Sequence, residues 1–410
     1  MRQEEQSNLP VRREEQTALT AAQSGAPKKS FWATNHKRLT ASWRVTLVVL
    51  AVFLVVYCLL YYRSFSSDNL YYFGRDIANL PNLVGGADQP LYFDAGGDGS
   101  SVYSYRGGVA VVGREKTKVF AGGGECLLTV EYGAAYEHPA AALSRDYLVI
   151  FDRGGIGFSV INAYAVLYEG EAKAPILGVS VSDAGSFTVI TSSMAHLSEV
   201  WLYDADFRLP RSFGRASATV AAPISSDGRT VAIVGATATG TVVDLFVMGE
   251  QTPLSSLTLE GFPYRAAFTS SGTLAVVSDA GLYTVNSRGV LASSTSFEGA
   301  SPIAVALGDD GFAVALEVNR PNRIVRVLAF DRAGSVTLDQ TRTGKTVLGL
   351  ALSRECAFLL FDQSAECVRL KNGEVISSMA LPDGALGITA EGGRTASILF
   401  PAMALTLRGE

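Results

Sequence analysis

Short apolar runs separated by turn residues fill the chain from about residue 88 to its last residue. One unit recurs there, an apolar run, a turn rich in Ser, Asp and Gly, and a second apolar run, as in GVSVSDAGSFTVI and AAPISSDGRTVAIV. Runs rich in β-branched and aromatic residues between such turns are typical of β-strands joined as hairpins. No segment of this region has the 3.6-residue period of an amphipathic helix. The pattern therefore predicts an all-β domain over residues 88–410.

The hairpin unit recurs at a nearly constant interval. Its turns are 38 to 44 residues apart, and two further strands follow each hairpin. Four strands in about 40–45 residues is the period of a β-propeller blade, which buries both faces only against neighbouring blades. Eight turns favour eight blades, with seven as the alternative if the first hairpin is irregular. The turns lie near Gly107, Arg145, Ala184, Asp227, Ser271, Asp310, Arg354 and Gly392.

A propeller has to close its ring, and the last repeat supplies only three strands, in LGITA, TASILF and MALTLRG. The short apolar run at residues 90–93 precedes the first full repeat and has no other partner. We expect this run to pair with the last repeat as its outer strand. Both ends of the domain would then share one blade, and the ring could not open without losing a strand pairing.

A different pattern occupies the chain before residue 88. Residues 45–62 carry no charge, and about 20 apolar residues span a bilayer as a helix. A buried core helix and a cleaved signal peptide are the alternatives, but the apolar run is longer than a signal peptide's and ends in bulky residues. We predict a transmembrane signal-anchor helix over residues 43–63, between a disordered basic tail (1–42) and a linker (64–87). Its flanking anchor residues are Trp43, Arg44, Tyr61, Tyr62 and Arg63.

The charges differ between the two sides of this helix. Residues 1–63 hold nine Lys and Arg against four Glu, a net charge of +5, whereas residues 64–410 hold 25 basic and 35 acidic residues, net −10. Because basic residues stay on the cytoplasmic side, we expect a single-pass protein of the cell membrane with a cytoplasmic N-terminus and an extracytoplasmic propeller. The lipid bilayer is then one partner. An acidic outer domain argues against nucleic acid as another.

Several loops of the predicted propeller form a candidate interaction rim. Acid–Gly pairs occur near the ends of fourth strands, and the longest loops after second strands are residues 192–199, 235–240 and 317–323. Both kinds of loop lie on one face of a propeller, so they favour a partner-binding rim, and its acidic residues favour a cationic partner. The alternative is that the acid–Gly pairs only serve turn geometry. The candidate rim residues are Glu169, Glu260, Glu298, Asp383, His196, Arg320 and Arg323.

Motifs for catalysis, cofactors or metals are missing from the sequence. The outer histidines His138 and His196 are isolated, whereas a zinc site needs three or four clustered ligands. The acidic turns at residues 94–98 and 309–311 do not have the spacing of an EF-hand. No nucleophile elbow or defensible Ser/His/Asp arrangement occurs. We therefore expect no cofactor, no metal site and no catalytic residues, and a binding module in preference to an enzyme.

Three cysteines lie outside the apolar segment, Cys126, Cys356 and Cys367. A two-residue turn at residues 363–364 would set Cys367 opposite Leu360 and Cys356 opposite Lys371. On that register the two cysteines do not pair, and we expect them to be small buried apolar residues.

The chain resembles a clostridial family of unknown function that combines a short cytoplasmic tail, one anchor helix and an extracytoplasmic propeller of the WD40-like or PQQ-like kind. The resemblance rests on the apolar segment 45–62 and on the stretches LYFDAGGDGSSVYSYRGGVAVVG and YLVIFDRGG…FSVINAYAVLYEGE. It implies fold and topology and no functional residues. We expect a protein- or ligand-binding scaffold of the cell envelope. The alternatives are an envelope polysaccharide hydrolase or lyase acting at the channel mouth, and a transmembrane sensor.

Overall fold

The computed structural model describes residues 43, 45–53, 55, 90–94, 100–209 and 211–409. The chain divides into two units, residues 1–70 and residues 71–410. In the first unit, residues 45–53 are helical and their side chains are exposed. No helix in the described part of the chain is long and apolar enough to cross a membrane.

About half of the predicted anchor helix (43–63) and both segments that flank it lie outside the described residues. This applies to the tail (1–42), to the linker (64–87) and to four of the five flanking side chains, Arg44, Tyr61, Tyr62 and Arg63. Trp43 is described and is exposed. The signal-anchor helix stays a prediction.

The second unit is an eight-bladed β-propeller over the described residues 90–409, as the eight-repeat interpretation predicted. Each blade is a four-stranded antiparallel sheet. Blades 1 to 4 contain β2 (Ser101–Tyr105), β3 (Gly108–Val112), β4 (Lys116–Phe120), β5 (Cys126–Glu131); β6 (Pro139–Leu143), β7 (Leu148–Asp152), β8 (Gly157–Ile161), β9 (Val166–Glu171); β10 (Ile176–Val181), β11 (Phe187–Ser192), β12 (Ser198–Tyr203), β13 (Arg211–Arg215); β14 (Ala218–Ala221), β15 (Thr230–Thr237), β16 (Gly240–Val247) and β17 (Ser255–Leu259).

The remaining four blades follow in chain order, and the last takes its outer strand from the start of the domain. Blades 5 to 8 contain β18 (Pro263–Phe268), β19 (Leu274–Ser278), β20 (Gly281–Val285), β21 (Leu291–Ser296); β22 (Ser301–Gly308), β23 (Gly311–Asn319), β24 (Ile324–Phe330), β25 (Val336–Thr343); β26 (Val347–Leu352), β27 (Cys356–Phe361), β28 (Ser364–Arg369), β29 (Val375–Ala380); and β30 (Gly387–Gly392), β31 (Thr395–Leu399), β32 (Met403–Arg408) with β1 (Leu91–Tyr92).

The first strand of each blade lies at the centre, where neighbouring first strands contact one another around a channel. Strand direction then defines two faces. The hairpin face carries the turns from first to second strands. The connection face carries the turns from second to third strands and the connections from each fourth strand to the next blade. The prediction of a long loop at residues 235–240 is wrong, because only a two-residue turn separates β15 from β16 there.

Apolar packing between blades forms the core. Second strands are buried along their whole length in four of the eight blades, as in β27, whereas fourth strands such as β29 alternate between partly buried and exposed residues. Phe358 of β27 packs with Ile398 of β31, so one cluster joins blades 7 and 8. Because each sheet buries its faces only against its neighbours, the ring is the stable unit.

Ring closure follows the prediction from residues 90–93. Leu91 is opposite Ala404 and Tyr92 is opposite Met403 in an antiparallel pair. The amide of Phe93 donates to the carbonyl of Ala402 at 3.1 Å. The Phe93 ring packs 5.8 Å from that of Phe120 in blade 1, so the closing strand also joins blade 8 to blade 1.

The predicted register of the two late cysteines is wrong by two residues. The turn between β27 and β28 is formed by residues 362–363, which sets Cys367 opposite Phe358 and Cys356 opposite Arg369. Both cysteines are fully buried in the cluster between blades 7 and 8, as expected for small apolar residues. Burial is the main cause that raises the pKa of the Cys367 thiol to about 12.

Candidate functional site

The central channel contains a cavity with a volume of about 590 Å³. Ligand pockets commonly have volumes of ~300–1,000 Å³. Its walls are the first strands of blades 6, 7 and 8, which contribute apolar side chains and backbone. The lining includes Val305, Leu307, Leu350, Leu352 and Ile388, with Arg145, Arg265, Asp309, Asp310 and Glu391 as its charged residues.

Charged turns surround the channel mouth on the hairpin face. Two of its carboxylates are held by hydrogen bonds or ion pairs. Asp310 accepts from Arg332 at 2.9 Å and lies 3.6 Å from Nε of Arg354. Asp183 accepts from the amide of Arg145 at 2.8 Å and from the hydroxyl of Ser226 at 2.7 Å. Turn geometry and ion pairs therefore hold these two side chains in place.

Asp309 is a third carboxylate of this mouth. It occupies the two-residue turn between β22 and β23, and its side chain makes no hydrogen bond or ion pair with the described residues. It is open to solvent in the channel, but the channel walls exclude part of the bulk water. That partial burial, and then the charges of Asp183 and Asp310, raise the pKa of Asp309 above its ordinary value of 3.8.

Asp309→Asn is expected to stabilise the protein at neutral pH. Because the folded-state pKa of Asp309 is raised, its ionisation opposes folding, and stability rises as the pH falls through that pKa. Solvent screening keeps the effect small, so we expect a Tm increase of about 1–2 °C at pH 7. The increase should be nearly lost by about pH 3, where the carboxyl is largely protonated in both folded and unfolded states.

Thermal unfolding followed by circular dichroism at both pH values tests this expectation. Asp227→Asn is the matched control on the same face. The Ser225 hydroxyl donates to Asp227 at 2.6 Å and lowers the pKa of that carboxyl, so this variant should lose stability at pH 7. An increase in Tm for Asp309→Asn that persists undiminished at about pH 3 would contradict the electrostatic cause.

The mouth on the connection face has a different chemistry. In blades 3 to 7 the first strand carries a β-bulge near its start, where one residue has no partner on the second strand. In blade 8 the amide of Leu386 donates to the carbonyl of Leu399, although Leu399 is also the partner of Gly387. Six consecutive blades therefore insert one extra residue there. These residues, which we call the apolar arc, are Leu177, Val220, Tyr264, Ile303, Leu348 and Leu386.

Most side chains of the apolar arc are exposed. Ile303 is partly buried, and the exposed fractions of the other five lie between 43% for Val220 and 55% for Tyr264. At the hairpin end of the same first strands, the large apolar residues are buried or half-buried. A bulge turns one side chain out of the pleat, and here it does so at the same end of six strands. The arc therefore lies around the channel mouth of the connection face.

The predicted rim residues all lie on or near the connection face and are exposed. Glu260, Glu298 and Asp383 follow fourth strands, and each precedes a residue of the apolar arc by three to five positions. We call these three residues the acidic rim. Glu169 lies within β9, two residues before the end of that fourth strand.

The other three predicted residues lie in turns between second and third strands, away from the arc along the chain. His196 lies in the turn between β11 and β12, with its ring over the backbone of Gly214. Arg320 and Arg323 lie in the turn between β23 and β24, where Arg320 is 3.9 Å from Glu317.

The apolar arc was missed by the sequence interpretation, although a signal for it exists. A large apolar residue followed by Gly or Ala recurs at the start of five first strands, as in Leu177–Gly178 and Leu348–Gly349. In a strand such a residue is ordinarily assigned to the core. Among the described residues, no three His, Cys, Asp or Glu side chains group as metal ligands.

Comparisons with known proteins agree with this architecture. Residues 93–344 match the model of a family of unknown function, DUF5711. The chain belongs to this family. No curated protein shows a significant sequence match. The family match spans the closing residue Phe93 and blades 1 to 6, so the blades carry the family's sequence pattern.

Solved structures with the same fold are distant in sequence. The C-terminal WD40 domain of Sif2 is 13% identical, with a TM-score of 0.56, over 78% of this chain and 97% of that one. The computationally designed Ika8 protein is 13% identical with a TM-score of 0.59, over 78% of this chain and all of that one. BamB from Moraxella catarrhalis is 12% identical with a TM-score of 0.51, over 78% and 98%. At these identities the similarity shows the fold alone.

Proposed function

We propose that this protein is a binding propeller of the cell envelope, anchored by one N-terminal helix and holding a protein partner outside the cytoplasm. The observation that carries the proposal is the apolar arc. Five large apolar side chains exposed around one channel mouth are unfavourable in water unless a partner covers them. A rigid ring that presents such a patch can bind a partner without catalysing a reaction. The proposed mechanism is therefore that the ring presents the apolar arc and holds the bound protein there.

The membrane location in this proposal rests on the sequence. Residues 45–62 are uncharged, and basic residues are concentrated before them. A single cysteine introduced into the tail or into the propeller of a variant lacking the native cysteines tests the topology. In intact cells, a membrane-impermeant maleimide should label the cysteine in the propeller and spare the one in the tail. Labelling of the tail would refute the proposed orientation.

Photo-crosslinking in native membranes tests the binding function. A photoreactive amino acid at position 348 should form adducts with a discrete partner, and one at the exposed position 336 near the hairpin face should not. Loss of these adducts in a Val220→Ser/Leu386→Ser variant of the full chain is the expected result. Adducts of equal yield with and without the arc substitutions would rule out the apolar arc as the binding surface.

A polysaccharide hydrolase or lyase is the second candidate, and the raised pKa of Asp309 in the hairpin mouth favours it. A hydrolase of this kind ordinarily needs two available carboxyl groups. The neighbouring carboxylates Asp183 and Asp310 are held by internal hydrogen bonds and ion pairs. Binding is therefore the better supported function. Release of reducing sugar from purified cell wall, abolished by Asp309→Asn, would reverse this order.

A further inference from the structure

We propose that the connection face binds a cationic, amphipathic segment of another polypeptide, whose apolar side chains contact the apolar arc and whose Lys or Arg residues pair with the acidic rim. This inference rests on the proposed binding function and adds the chemistry of the partner.

Acidic and apolar residues follow one another in a fixed order in three of the connections between blades. Glu260, Glu298 and Asp383 are exposed in the connections that lead into blades 5, 6 and 8. In each connection the acid comes first and the arc residue follows at the start of the central strand, so the acid lies outside an apolar centre. A segment that matches both parts needs apolar residues with cations beside them.

The charges of the connections between blades also favour a cationic partner. Among the described residues, Glu260 and Asp383 have no cation within 4.0 Å, and Glu298 shares Arg326 with Asp339. The basic residues of three other connections are already engaged inside the propeller. Arg215 binds Asp244, Lys345 binds Glu366, and Nζ of Lys173 lies 5.0 Å from the ring of Trp201. The connections therefore present uncompensated negative charge to a partner.

The channel cavity lies directly behind the apolar arc. The channel cavity is lined by residues that follow arc residues by one or two positions in the same strands, including Arg265, Val305, Leu350 and Ile388. Side chains that pass the arc would therefore reach a cavity of about 590 Å³ whose lining contains both apolar and charged residues. A flexible or terminal segment can insert side chains there, whereas a flat protein surface cannot.

A bilayer is the competing occupant of an exposed apolar surface. Anionic lipid headgroups attract basic surfaces, whereas the acidic rim and the net charge of −10 over residues 64–410 repel them. The charge pattern therefore favours a cationic polypeptide over a membrane surface.

A defined peptide tests the inference directly with the purified full-length protein in detergent. The probe is a short fluorescein-labelled peptide of alternating Lys and Leu, and binding is measured by fluorescence anisotropy. One comparison peptide has Glu in place of Lys, and another has Ser in place of Leu. Only the Lys–Leu peptide should bind tightly, because it alone matches both the arc and the rim.

Variants on the two faces separate specific from general attraction. Val220→Ser in the arc should weaken binding of the Lys–Leu peptide about fivefold, and Val290→Ser on the hairpin face should leave it unchanged. Glu260→Lys/Asp383→Lys should weaken binding about tenfold, and Glu250→Lys on the hairpin face should not. Each control alters an exposed residue of the same type at the other face.

Three results would overturn the inference. Equal binding of the Lys–Ser and Lys–Leu peptides would show attraction by net charge alone. Unchanged binding in the Glu260→Lys/Asp383→Lys variant would remove the acidic rim from the site. Binding to phosphatidylglycerol vesicles that is lost on Val220→Ser would make the surface a membrane contact.

Native crosslinking separates failure of this inference from failure of the proposed function. Crosslinking to the native partner can be lost in the Val220→Ser/Leu386→Ser variant but kept in the Glu260→Lys/Asp383→Lys variant. In that case the propeller is a binding module with a partner of different chemistry. If both variants keep every adduct, the proposed function fails as well.

Discussion

Removal of residues 403–410 is expected to unfold the whole propeller and not only its last blade. These residues contain β32, which lies between β31 and the closing strand β1. Without β32, the residues around Leu91 lose the strand that they pair with in the described structure, and blade 8 is reduced to two strands. Leu407 and Ala404 leave the core, and the packing of Phe93 between blades 8 and 1 is lost.

The expected cost is about 5 kcal/mol or more, because a fully buried large apolar side chain contributes ~1.5–3 kcal/mol and the strand pairings are lost in addition. Domains of this kind have a total stability of ~5–15 kcal/mol, so the truncated chain should lack a cooperative thermal transition at 37 °C and above. Circular dichroism and limited proteolysis of the full-length and truncated proteins provide the measurement.

Truncation after Arg408 is the matched control for this deletion. It removes Gly409 and Glu410, and the described part of that loss is one backbone hydrogen bond from Gly409 to Arg394. We expect its transition to stay close to that of the full chain. A 403–410 deletion that melts at the temperature of this control would mean that blades 1 to 7 hold the ring without the closing strand.

The repeat made the fold predictable from the sequence. A turn such as that around Asp310 and a fixed spacing specify a blade, and a last repeat with three strands requires a strand from elsewhere, which residues 90–93 supply. These inferences work because local turn chemistry and the period of alternation decide strand pairing.

The features that form the candidate site could not be predicted from local sequence patterns. A bulge shifts register by one residue without changing composition, so Leu177 and Leu348 resemble core residues in the sequence and are exposed in the fold. The same limit explains the wrong cysteine register, because moving a two-residue turn by one position changes every pair in β27 and β28. Compensation of Asp310 by Arg354 of the next blade is likewise a tertiary property.

Gly311→Ala is expected to lower the free energy of unfolding strongly. Gly311 begins β23 directly after the two-residue turn, with a φ of 147° that side chains rarely adopt. A Cβ atom there would lie 2.2 Å from the carbonyl oxygen of Phe330, which belongs to the paired strand β24. Backbone cannot yield as a flexible side chain can, so the hairpin and the sheet have to separate.

Gly308→Ala provides a control within the same hairpin. Gly308 is directly opposite Gly311 at the other end of the turn, and a Cβ atom there meets nothing within 4 Å. We expect Gly311→Ala to lower the free energy of unfolding by about 3 kcal/mol or more and Gly308→Ala to change it by less than about 0.5 kcal/mol. Equilibrium unfolding in urea measures both.

The position of this hairpin links the stability effect to the channel. Asp309 lies between the two glycines, so a displaced turn would also move this carboxylate in the hairpin mouth. The stability gain of Asp309→Asn should therefore be smaller in a Gly311→Ala background and unchanged in a Gly308→Ala background, when all are measured at pH 7. Equal gains in both backgrounds would show that the raised pKa of Asp309 does not depend on the geometry of the turn.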